Sequence, residues 1–451
     1  FGTDGIRGTY GDFEVSEPFY ETLGKVCADV VREKLGDGLV VVGCDTRASS
    51  DSLKAALIKG LAKGGARCED MGVLPTPALA YAVLKRKAVL GAMITASHNP
   101  YTDNGIKFFD ADARKVDDDF QLELERRVDA LGCAFDAYSP AKFPPRAISA
   151  GDFAVGEYAA KMSSLFEPNF LSGLKIAIDM ANGATSSISS RVFESYGAQV
   201  FKTAESPDGH NINAAVGSQH PENLVELCKR VGADVGFAHD GDGDRVVVCD
   251  DKFSILEGEE VMGLIAMEEY ERGRLAADAI VTTLQSNTGL DESLAAKGIK
   301  VFRCGIGDRL VMREMLERGC NVGGENSGHY FFRNLALRRR LGGGVGGFVG
   351  DGAQTQKALG VARGNRDVSV RLQGGCRRKK NANRRDCEPL EGSEKVRRTA
   401  RGQGAHARAL LGYGKENPPA RRVARRRKSP PVYGNFARGG RNRLEIIFRA
   451  F

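Results

Sequence analysis

The chain has 451 residues, of which 42% are hydrophobic and 27% charged, and its formal net charge is +7. This composition is typical of globular proteins, and the length allows three or four domains. No apolar run approaches the roughly 20 residues of a membrane-spanning helix, and the ten cysteines form no CxxC pair, which argues against a membrane protein and against a zinc domain.

The cysteines and the start of the chain bear on where the protein resides. No signal peptide is visible, and cysteines such as Cys44 and Cys249 lie in apolar runs, where reduced core thiols are expected. We therefore predict a cytoplasmic protein with no membrane partner. Because the chain begins at Phe1 rather than Met, we expect a few residues to precede it.

The net charge conceals a sharp change in composition. Residues 337–451 contain 29 Lys and Arg but only 8 Asp and Glu, a net charge of +21, whereas residues 1–336 carry −14. The change follows GENSGHYFFRNLA directly, and Arg-rich and Gly-rich stretches such as CRRKKNANRRDC and RRVARRRKSPP come after it. The two parts of the chain therefore need separate interpretations.

Residues 1–336 alternate apolar strands with amphipathic helices. GLVVVGCDTR (38–47) is typical of a strand that ends in a polar loop, and SSDSLKAALIKGLAKGG (49–65) of the helix after it. The same pattern returns in four further stretches: 88–100, 174–200, 234–251 and 295–328. This alternation predicts α/β domains with mixed or mostly parallel sheets, in which ligands bind at the carboxyl ends of strands. The Pro-rich stretch 138–152 is typical of a linker.

An acidic motif, HDGDGDRVVVCD, follows one of the predicted strands. Asp240, Asp242 and Asp244 alternate with glycines that let the backbone turn all three carboxylates toward one point, where a hard cation such as Mg²⁺ would offset their repulsion. An EF-hand fails, because its sixth and twelfth positions would be Arg245 and Asp251, and because a strand rather than a helix follows. An acidic surface turn is the remaining alternative.

A serine loop, TASHNPYTDNGIKFF, follows another strand. Ser97 alone could be a nucleophile, a helix cap or a turn residue, but His98 and the residues after it form a tight loop, and Lys107 lies close in sequence. A serine paired with a carboxylate cation site suggests phosphoryl transfer, which also needs cationic side chains. Arg7 and Lys107 can supply them.

The last motif before the change in composition is GENSGH. Glu325, Ser327 and His329 lie in a short loop suited to hydrogen-bonding hydroxyl groups. His329 by itself would more often be a structural residue. Together with the serine and acidic loops, this loop suggests a phosphorylated polyol as the ligand.

Five motifs in this order resemble those of the α-D-phosphohexomutase superfamily: FGTDGIRG, ASHNPYTDNGIKFF, DGDGDRVVVCD, GIGDRLV and GENSGH. The resemblance extends over residues 1–336, and the sequences of the motifs are most similar to those of the bacterial phosphoglucosamine mutase branch. It implies three similar mixed-sheet α/β domains followed by a fourth that binds phosphate. The boundaries we predict are 1–145 for the domain with the serine loop, 146–252 for the domain with the metal loop, 253–336 for an incomplete domain with the sugar loop, and 337–451 for a basic segment in place of the remainder.

The resemblance also implies roles for individual residues. Ser97 would be the phosphoserine, and its phosphate would hold Mg²⁺ together with the three aspartates. Arg7 and Lys107 would flank the transferring group and assist proton transfer, and His98 is a further catalytic candidate. The residues implied to bind the substrate are Arg245, Gly307, Asp308, Arg309, Glu325, Ser327 and His329.

The reaction implied is the interconversion of glucosamine 6-phosphate and glucosamine 1-phosphate. It would proceed through a 1,6-bisphosphate, with catalytic amounts of hexosamine 1,6-bisphosphate as the phosphoryl primer. A phosphoglucomutase/phosphomannomutase is the alternative that the sugar loop leaves open. The oligomeric state is not predicted.

Two further motifs of the superfamily are absent from residues 337–451: Ser/Thr-Gly-Asp-Gly soon after the sugar loop, and a phosphate-gripping motif close to Arg-Tyr-Ser-Gly-Thr-Glu near the end. Residues 337–341 can be encoded by codons that specify Ser-Gly-Asp-Gly when the reading frame is advanced by one base. With the same shift, codons for residues 410–415 read Tyr-Ser-Gly-Thr-Glu. We therefore hypothesise a frameshift near codon 336 and expect this chain to be a poor catalyst.

In the alternative, the basic segment is translated in the correct frame and belongs to an inactive protein that binds nucleic acid through phosphate contacts. The segment shows no aromatic interleaving and no repeat, which argues against this function. If the segment is translated in the correct frame, its composition predicts disorder. Salt-sensitive retention on DNA without mutase turnover would favour the alternative.

Overall fold

The computed structural model describes residues 5–131 and 152–333, with side chains from residue 154 onward in the second range. The predicted linker, except residue 152, and the basic segment from 337 lie outside the described residues. Of the helices within these ranges, none has the length and apolar character needed to cross a bilayer.

The first α/β unit has a five-stranded sheet in the order β1-β5-β4-β2-β3. Its elements are β1 (Ile6–Thr9), α1 (Glu17–Leu35), β2 (Leu39–Cys44), α2 (Ser50–Lys63), β3 (Arg67–Val73), α3 (Thr76–Arg86), β4 (Leu90–Ile94), β5 (Asp103–Asp110) and α4 (Asp118–Leu131). The central strand β2 is parallel to β3 and β4, whereas β5 is antiparallel to β4 and β1. The apolar run of β4 is buried throughout because helices cover both faces of this part of the sheet.

The second unit repeats this plan with the sheet order β10-β9-β8-β6-β7. Its elements are α5 (Asp152–Met162), β6 (Lys175–Asp179), α6 (Ser189–Ser195), β7 (Gln199–Thr203), α7 (Glu222–Val231), β8 (Val235–His239), β9 (Val246–Cys249) and β10 (Ile255–Leu256). Strand β6 is parallel to β7 and β8, and β9 is antiparallel to both β8 and β10.

The third unit is a four-stranded version with the order β12-β11-β13-β14. Its elements are α8 (Gly258–Glu271), β11 (Ala279–Thr283), α9 (Gly289–Ala295), β12 (Lys300–Cys304), α10 (Asp308–Arg318), β13 (Val322–Gly324) and β14 (Tyr330–Phe332). Strand β11 is parallel to β12 and β13, and β14 is antiparallel to β13. The prediction of three similar mixed-sheet α/β domains is confirmed.

Two helical glycines allow α1 and α2 to pack closely. A Cβ on Gly24 would lie 2.2 Å from the carbonyl oxygen of Leu57, and one on Gly60 would lie 2.0 Å from that of Glu21. Any larger residue would separate the helices, which hold much of the apolar core of the first unit.

The second and third units share an apolar core. One buried cluster extends from Phe237 and Val248 in the second sheet, through Met262 on α8, to Ile280 and Val322 in the third. This packing fixes the loops at the carboxyl ends of the two sheets relative to each other, and those loops carry the acidic and GENSGH motifs.

Candidate active site

Ser97 lies just beyond β4, in a buried position. Its backbone φ is +54°, a left-handed conformation that costs a residue other than glycine about 1–3 kcal/mol. Its amide donates to Thr95 Oγ1 at 2.8 Å, and its hydroxyl donates to Asp240 Oδ2 at 2.6 Å. The strained turn therefore aims the serine hydroxyl at the acidic motif of the second unit.

The three aspartates of that motif form the cluster that the sequence predicted. One carboxylate oxygen from each of Asp240, Asp242 and Asp244 lies within 4.8 Å of the other two. The glycines between them are required: Gly243 has a φ of +69°, and a Cβ on Gly241 would lie 2.7 Å from the carbonyl oxygen of Ser97. The loop then enters strand β9, unlike an EF-hand, in which a helix follows.

Burial and mutual repulsion make this cluster favourable for a cation. Burial and the neighbouring carboxylates raise the pKa of Asp240 well above its usual value. Oδ1 of Asp242 is buried and accepts no hydrogen bond from any described residue. A divalent ion with oxygen ligands would offset the repulsion between the carboxylates and give Asp242 Oδ1 a partner. The residues present therefore fit a metal ion.

Lys107 partly neutralises the cluster. From β5 its ammonium group reaches Asp242 Oδ2 and Asp244 Oδ2, both at 2.8 Å, and the lysine side chain is only 1% exposed. Although burial and repulsion from Asp244 oppose the ionised form, the Lys107 charge holds the pKa of Asp242 below its usual value. The sequence named Lys107 as a cationic side chain for phosphoryl transfer, and the structure places its ammonium group at the triad.

Two arginines, Arg245 and Arg7, lie close to His98, the residue that follows Ser97. Arg245 Nη1 lies 3.1 Å from His98 Nδ1, and the Arg245 amide donates to Asp240 Oδ1 at 3.1 Å. Burial, together with the charges of Arg245 and Arg7, lowers the pKa of His98. The two arginines are suited to a negatively charged ligand that approaches the serine, and the lowered pKa favours a neutral His98 beside them.

The residues expected to bind the sugar lie on two adjacent loops of the third unit. The Gly307 amide donates to Glu325 Oε1 at 3.0 Å, and His329 Nδ1 lies 3.8 Å from Glu325 Oε2 and 3.9 Å from Asp308 Oδ2. Ser327 is exposed at the tip. The Val246 amide donates to the Gly328 carbonyl at 3.0 Å, so the loop abuts the strand that follows the acidic motif.

Asp308 and Arg309 contact the first unit. Lys115 Nζ lies 2.5 Å from Asp308 Oδ2, and Arg309 Nη1 donates to the Val116 carbonyl oxygen at 3.3 Å while its other terminal nitrogen pairs with Asp118. These two residues therefore join the third unit to the first, a role that the sequence did not predict.

Sequence reasoning missed three polar residues of the site. Thr76 Oγ1 donates to Asp242 Oδ2 at 2.5 Å, and Arg47 and Asn213 donate to the backbone of the serine loop. The only signal for Arg47 was its place in the polar end of GLVVVGCDTR. Thr76 and Asn213 had no local signal, since each contacts residues more than 100 positions away.

Comparisons with known proteins identify relatives of the chain. Family models for phosphoglucomutase/phosphomannomutase α/β/α domains I, II and III match residues 1–132, 156–254 and 257–353. The chain is 40% identical over 337 residues to a phosphoglucosamine mutase of Symbiobacterium thermophilum, covering 74% of each chain. It is 42% identical over 341 residues to that of Pediococcus pentosaceus, covering 74% of this chain and 73% of the relative.

A solved structure is similar over the same extent. A phosphoglucomutase/phosphomannomutase family protein from Burkholderia thailandensis superimposes with a TM-score of 0.61 at 27% identity. The match covers 74% of this chain and 72% of that one.

Proposed function

The chain belongs to the phosphoglucomutase/phosphomannomutase family and is a phosphosugar mutase, and from this premise we propose that it interconverts glucosamine 6-phosphate and glucosamine 1-phosphate. The single observation that carries the chemistry is the 2.6 Å hydrogen bond from Ser97 Oγ to Asp240 Oδ2 in a buried triad. The amino sugar is favoured over glucose and mannose by the names of the relatives at about 40% identity.

In the proposed reaction, Ser97 Oγ carries the phosphoryl group between two positions of the sugar. The Oγ–P bond breaks as a sugar hydroxyl attacks, which gives the 1,6-bisphosphate, and the other phosphoryl group then returns to Oγ. In each direction the attacking hydroxyl loses a proton and the leaving oxygen gains one. We assign the handling of these protons, and the neutralisation of charge, to Lys107 and Arg7, with His98 and Arg245 beside the serine.

Asp240, Asp242 and Asp244 would hold Mg²⁺, with an oxygen of the serine phosphate as a further ligand. Bound there, the ion supplies charge neutralisation for the transferring group. The fit rests on the spacing of the three carboxylates and on the buried Asp242 Oδ1, which accepts no hydrogen bond from the described residues. The loops with Gly307, Asp308, Arg309, Glu325, Ser327 and His329 would orient the sugar, and a hexosamine 1,6-bisphosphate would prime Ser97.

The domain boundaries and location of the protein are also proposals. We keep 1–145, 146–252 and 253–336 as the three domains and cytoplasmic residence as the location. The seven cysteines in the described part of the chain are free thiols, which supports a reducing compartment.

We propose that residues 337–451 result from a one-base shift near codon 336. The support is the absence of two family motifs and their return in a single alternative frame. The test is to resequence the coding DNA across codons 325–345 and to express both the present and the reframed gene. A reframed product that turns over much faster than the present chain is expected, and equal turnover would count against the shift.

A substrate panel tests the proposed activity. Glucosamine, glucose and mannose 6-phosphates are each supplied with Mg²⁺ and the matching 1,6-bisphosphate, and formation of the 1-phosphate is followed. The reframed protein is expected to show its highest kcat/KM on glucosamine 6-phosphate, and Ser97→Ala should abolish the activity. A preference for glucose or mannose would identify the alternative mutase instead.

A further inference from the structure

The backbone carbonyls of the serine loop receive an unusually complete set of hydrogen bonds. Arg47 is fully buried, and its guanidinium uses all five of its N–H groups. One N–H, that of Nε, donates to Asp45 Oδ2 at 2.9 Å. The terminal nitrogens donate to four carbonyl oxygens of the loop, those of Ser97, Asn99, Pro100 and Asp103.

Asp45 fixes Arg47 from the other side. Its carboxylate accepts hydrogen bonds from Ser50 Oγ at 2.8 Å and from Thr95 Oγ1 at 2.7 Å as well as from Arg47. Thr95 Oγ1 in turn accepts from the Ser97 amide. The loop is therefore held at both its amide and its carbonyl groups by buried residues of the first unit.

Asn213 adds a second set of bonds from the other α/β unit. Its side-chain nitrogen donates to the Ser97 carbonyl at 2.9 Å and to the Asn99 carbonyl at 3.0 Å, which uses both of its hydrogens. The same two carbonyls accept from Arg47 at 2.9 and 2.8 Å. Each oxygen thus accepts one bond from each unit, and both of its lone pairs are engaged.

The location of Asn213 gives these bonds their significance. It lies between β7 and α7, in the unit that carries the acidic triad, and its amide donates to the Ala181 carbonyl. A Cβ on Gly241 would lie 2.8 Å from Asn213 Nδ2, so the asparagine is packed against the acidic loop. It therefore spans the space between the backbone of Ser97 and the loop that presents Asp240.

We propose that Asn213 is a positioning residue that, together with Arg47, sets the position of Ser97 against the metal-binding triad. Ser97 is in a left-handed conformation that its own sequence does not favour, and the paired bonds hold its carbonyl there. Arg47 fixes the loop within the first unit, and Asn213 fixes it to the second. The proposal rests on the proposed function only for its catalytic consequence.

The test compares Asn213→Gly with Asn211→Gly in the full chain. Asn213 has a φ of +56°, so glycine removes the amide without adding backbone strain. Asn211 is the control in the same segment: its side chain donates to the Ser206 carbonyl and accepts from the Asp208 amide, and these bonds do not involve the serine loop. Both variants are expected to keep thermal midpoints close to each other.

The first readout is hydrogen–deuterium exchange, which needs no activity. Asn213→Gly is expected to raise amide exchange in the peptide that covers residues 95–104 and to leave the peptide of β2 unchanged. Asn211→Gly should change neither peptide. Unaltered exchange in the serine loop of Asn213→Gly would overturn the proposal whether or not the chain is an enzyme.

The second readout, made on the reframed protein and its Asn213→Gly variant, is the rate of phosphoryl transfer from glucosamine 1,6-bisphosphate to Ser97 with Mg²⁺, followed by phosphopeptide mass spectrometry. A misplaced serine is expected to slow the step about tenfold or more at saturating bisphosphate, with the half-saturating concentration unchanged. A variant rate equal to that of the parent would overturn the positioning role. Failure of the parent itself to be labelled would count against the proposed function instead, and the exchange readout would still decide the inference.

Discussion

Lys107 Nζ lies 2.8 Å from Asp242 Oδ2, and both side chains are almost fully buried. The two residues come from different α/β units, 135 positions apart in the chain. The lysine supplies one positive charge to three carboxylates, so the cluster keeps an excess of negative charge that a divalent cation can neutralise.

Substitution of Lys107 by Met should therefore increase the dependence of the fold on Mg²⁺. Without the ammonium group the buried carboxylates repel one another more strongly, which lowers the thermal midpoint in EDTA. Added Mg²⁺ should raise the thermal midpoint of Lys107→Met by more than it raises that of the parent. Lys54→Met is the matched control, because Lys54 is also buried and paired, with Asp51 and Asp70, but lies outside the triad. An equal Mg²⁺ response in all three proteins would contradict the prediction.

Removal of a single triad carboxylate should abolish the response to metal. A ligand present at about 100 times its Kd stabilises the folded state by about 2.7 kcal/mol, so Mg²⁺ should raise the melting temperature of the parent. We expect Asp242→Asn to lose that increase. Asp179→Asn removes another buried carboxylate of the second unit, one that accepts from the Ala181 and Gly217 amides, and should retain it. Differential scanning fluorimetry with and without Mg²⁺ distinguishes the outcomes.

Thr76→Val tests a contact that no sequence motif indicated. The hydroxyl donates to Asp242 at 2.5 Å in a buried setting, and its loss should cost about 1–3 kcal/mol because a charged acceptor loses a donor. Thr22→Val is the control: its hydroxyl donates to a carbonyl within α1. Urea unfolding of the two variants should show the larger loss for Thr76, and the reverse order would refute this account of the site.

Lys115→Met should affect the sugar more than the phosphoryl step. Lys115 fixes Asp308 at the start of α10, so its loss should loosen the sugar loop and raise KM for the hexose phosphate. The rate of Ser97 labelling at saturating bisphosphate should stay near that of the parent. Arg114→Met is the control, because it removes the same charge from the neighbouring residue, whose side chain lies toward Asp112. It should leave KM unchanged. On the reframed protein, steady-state kinetics measures KM, and phosphopeptide mass spectrometry measures the rate of Ser97 labelling.

Two helical glycines should respond in opposite directions to alanine. Gly24→Ala places a Cβ 2.2 Å from the Leu57 carbonyl oxygen and must push α1 away from α2. The free energy of unfolding should therefore fall by about 1–3 kcal/mol. Gly156 in α5 has no atom within 4 Å of such a Cβ, and its replacement should raise the free energy of unfolding by up to about 1 kcal/mol. Stabilisation by Gly24→Ala would show that the close packing of α1 on α2 is incorrect.

The sequence predicted the fold of the described residues because its apolar strands and polar strand ends recur in order. It also predicted which loops carry the serine and the aspartates, since DGDGD and ASHNP each concentrate their chemistry within a few residues. It could not predict Thr76 or Asn213, whose importance arises only when distant segments meet. The contacts of Asp308 and Arg309 with the first unit were likewise hidden, because charge pairing between domains leaves no periodic pattern.

The most direct test of the central claim is to incubate the reframed protein with glucosamine 1,6-bisphosphate and Mg²⁺ and to map the phosphorylated residue by mass spectrometry. One phosphoryl group is expected on Ser97, with no labelling when EDTA replaces Mg²⁺ and none in Ser97→Ala or Asp242→Asn. A chain that stays unlabelled while it binds Mg²⁺, or that is labelled at a residue other than Ser97, would contradict it.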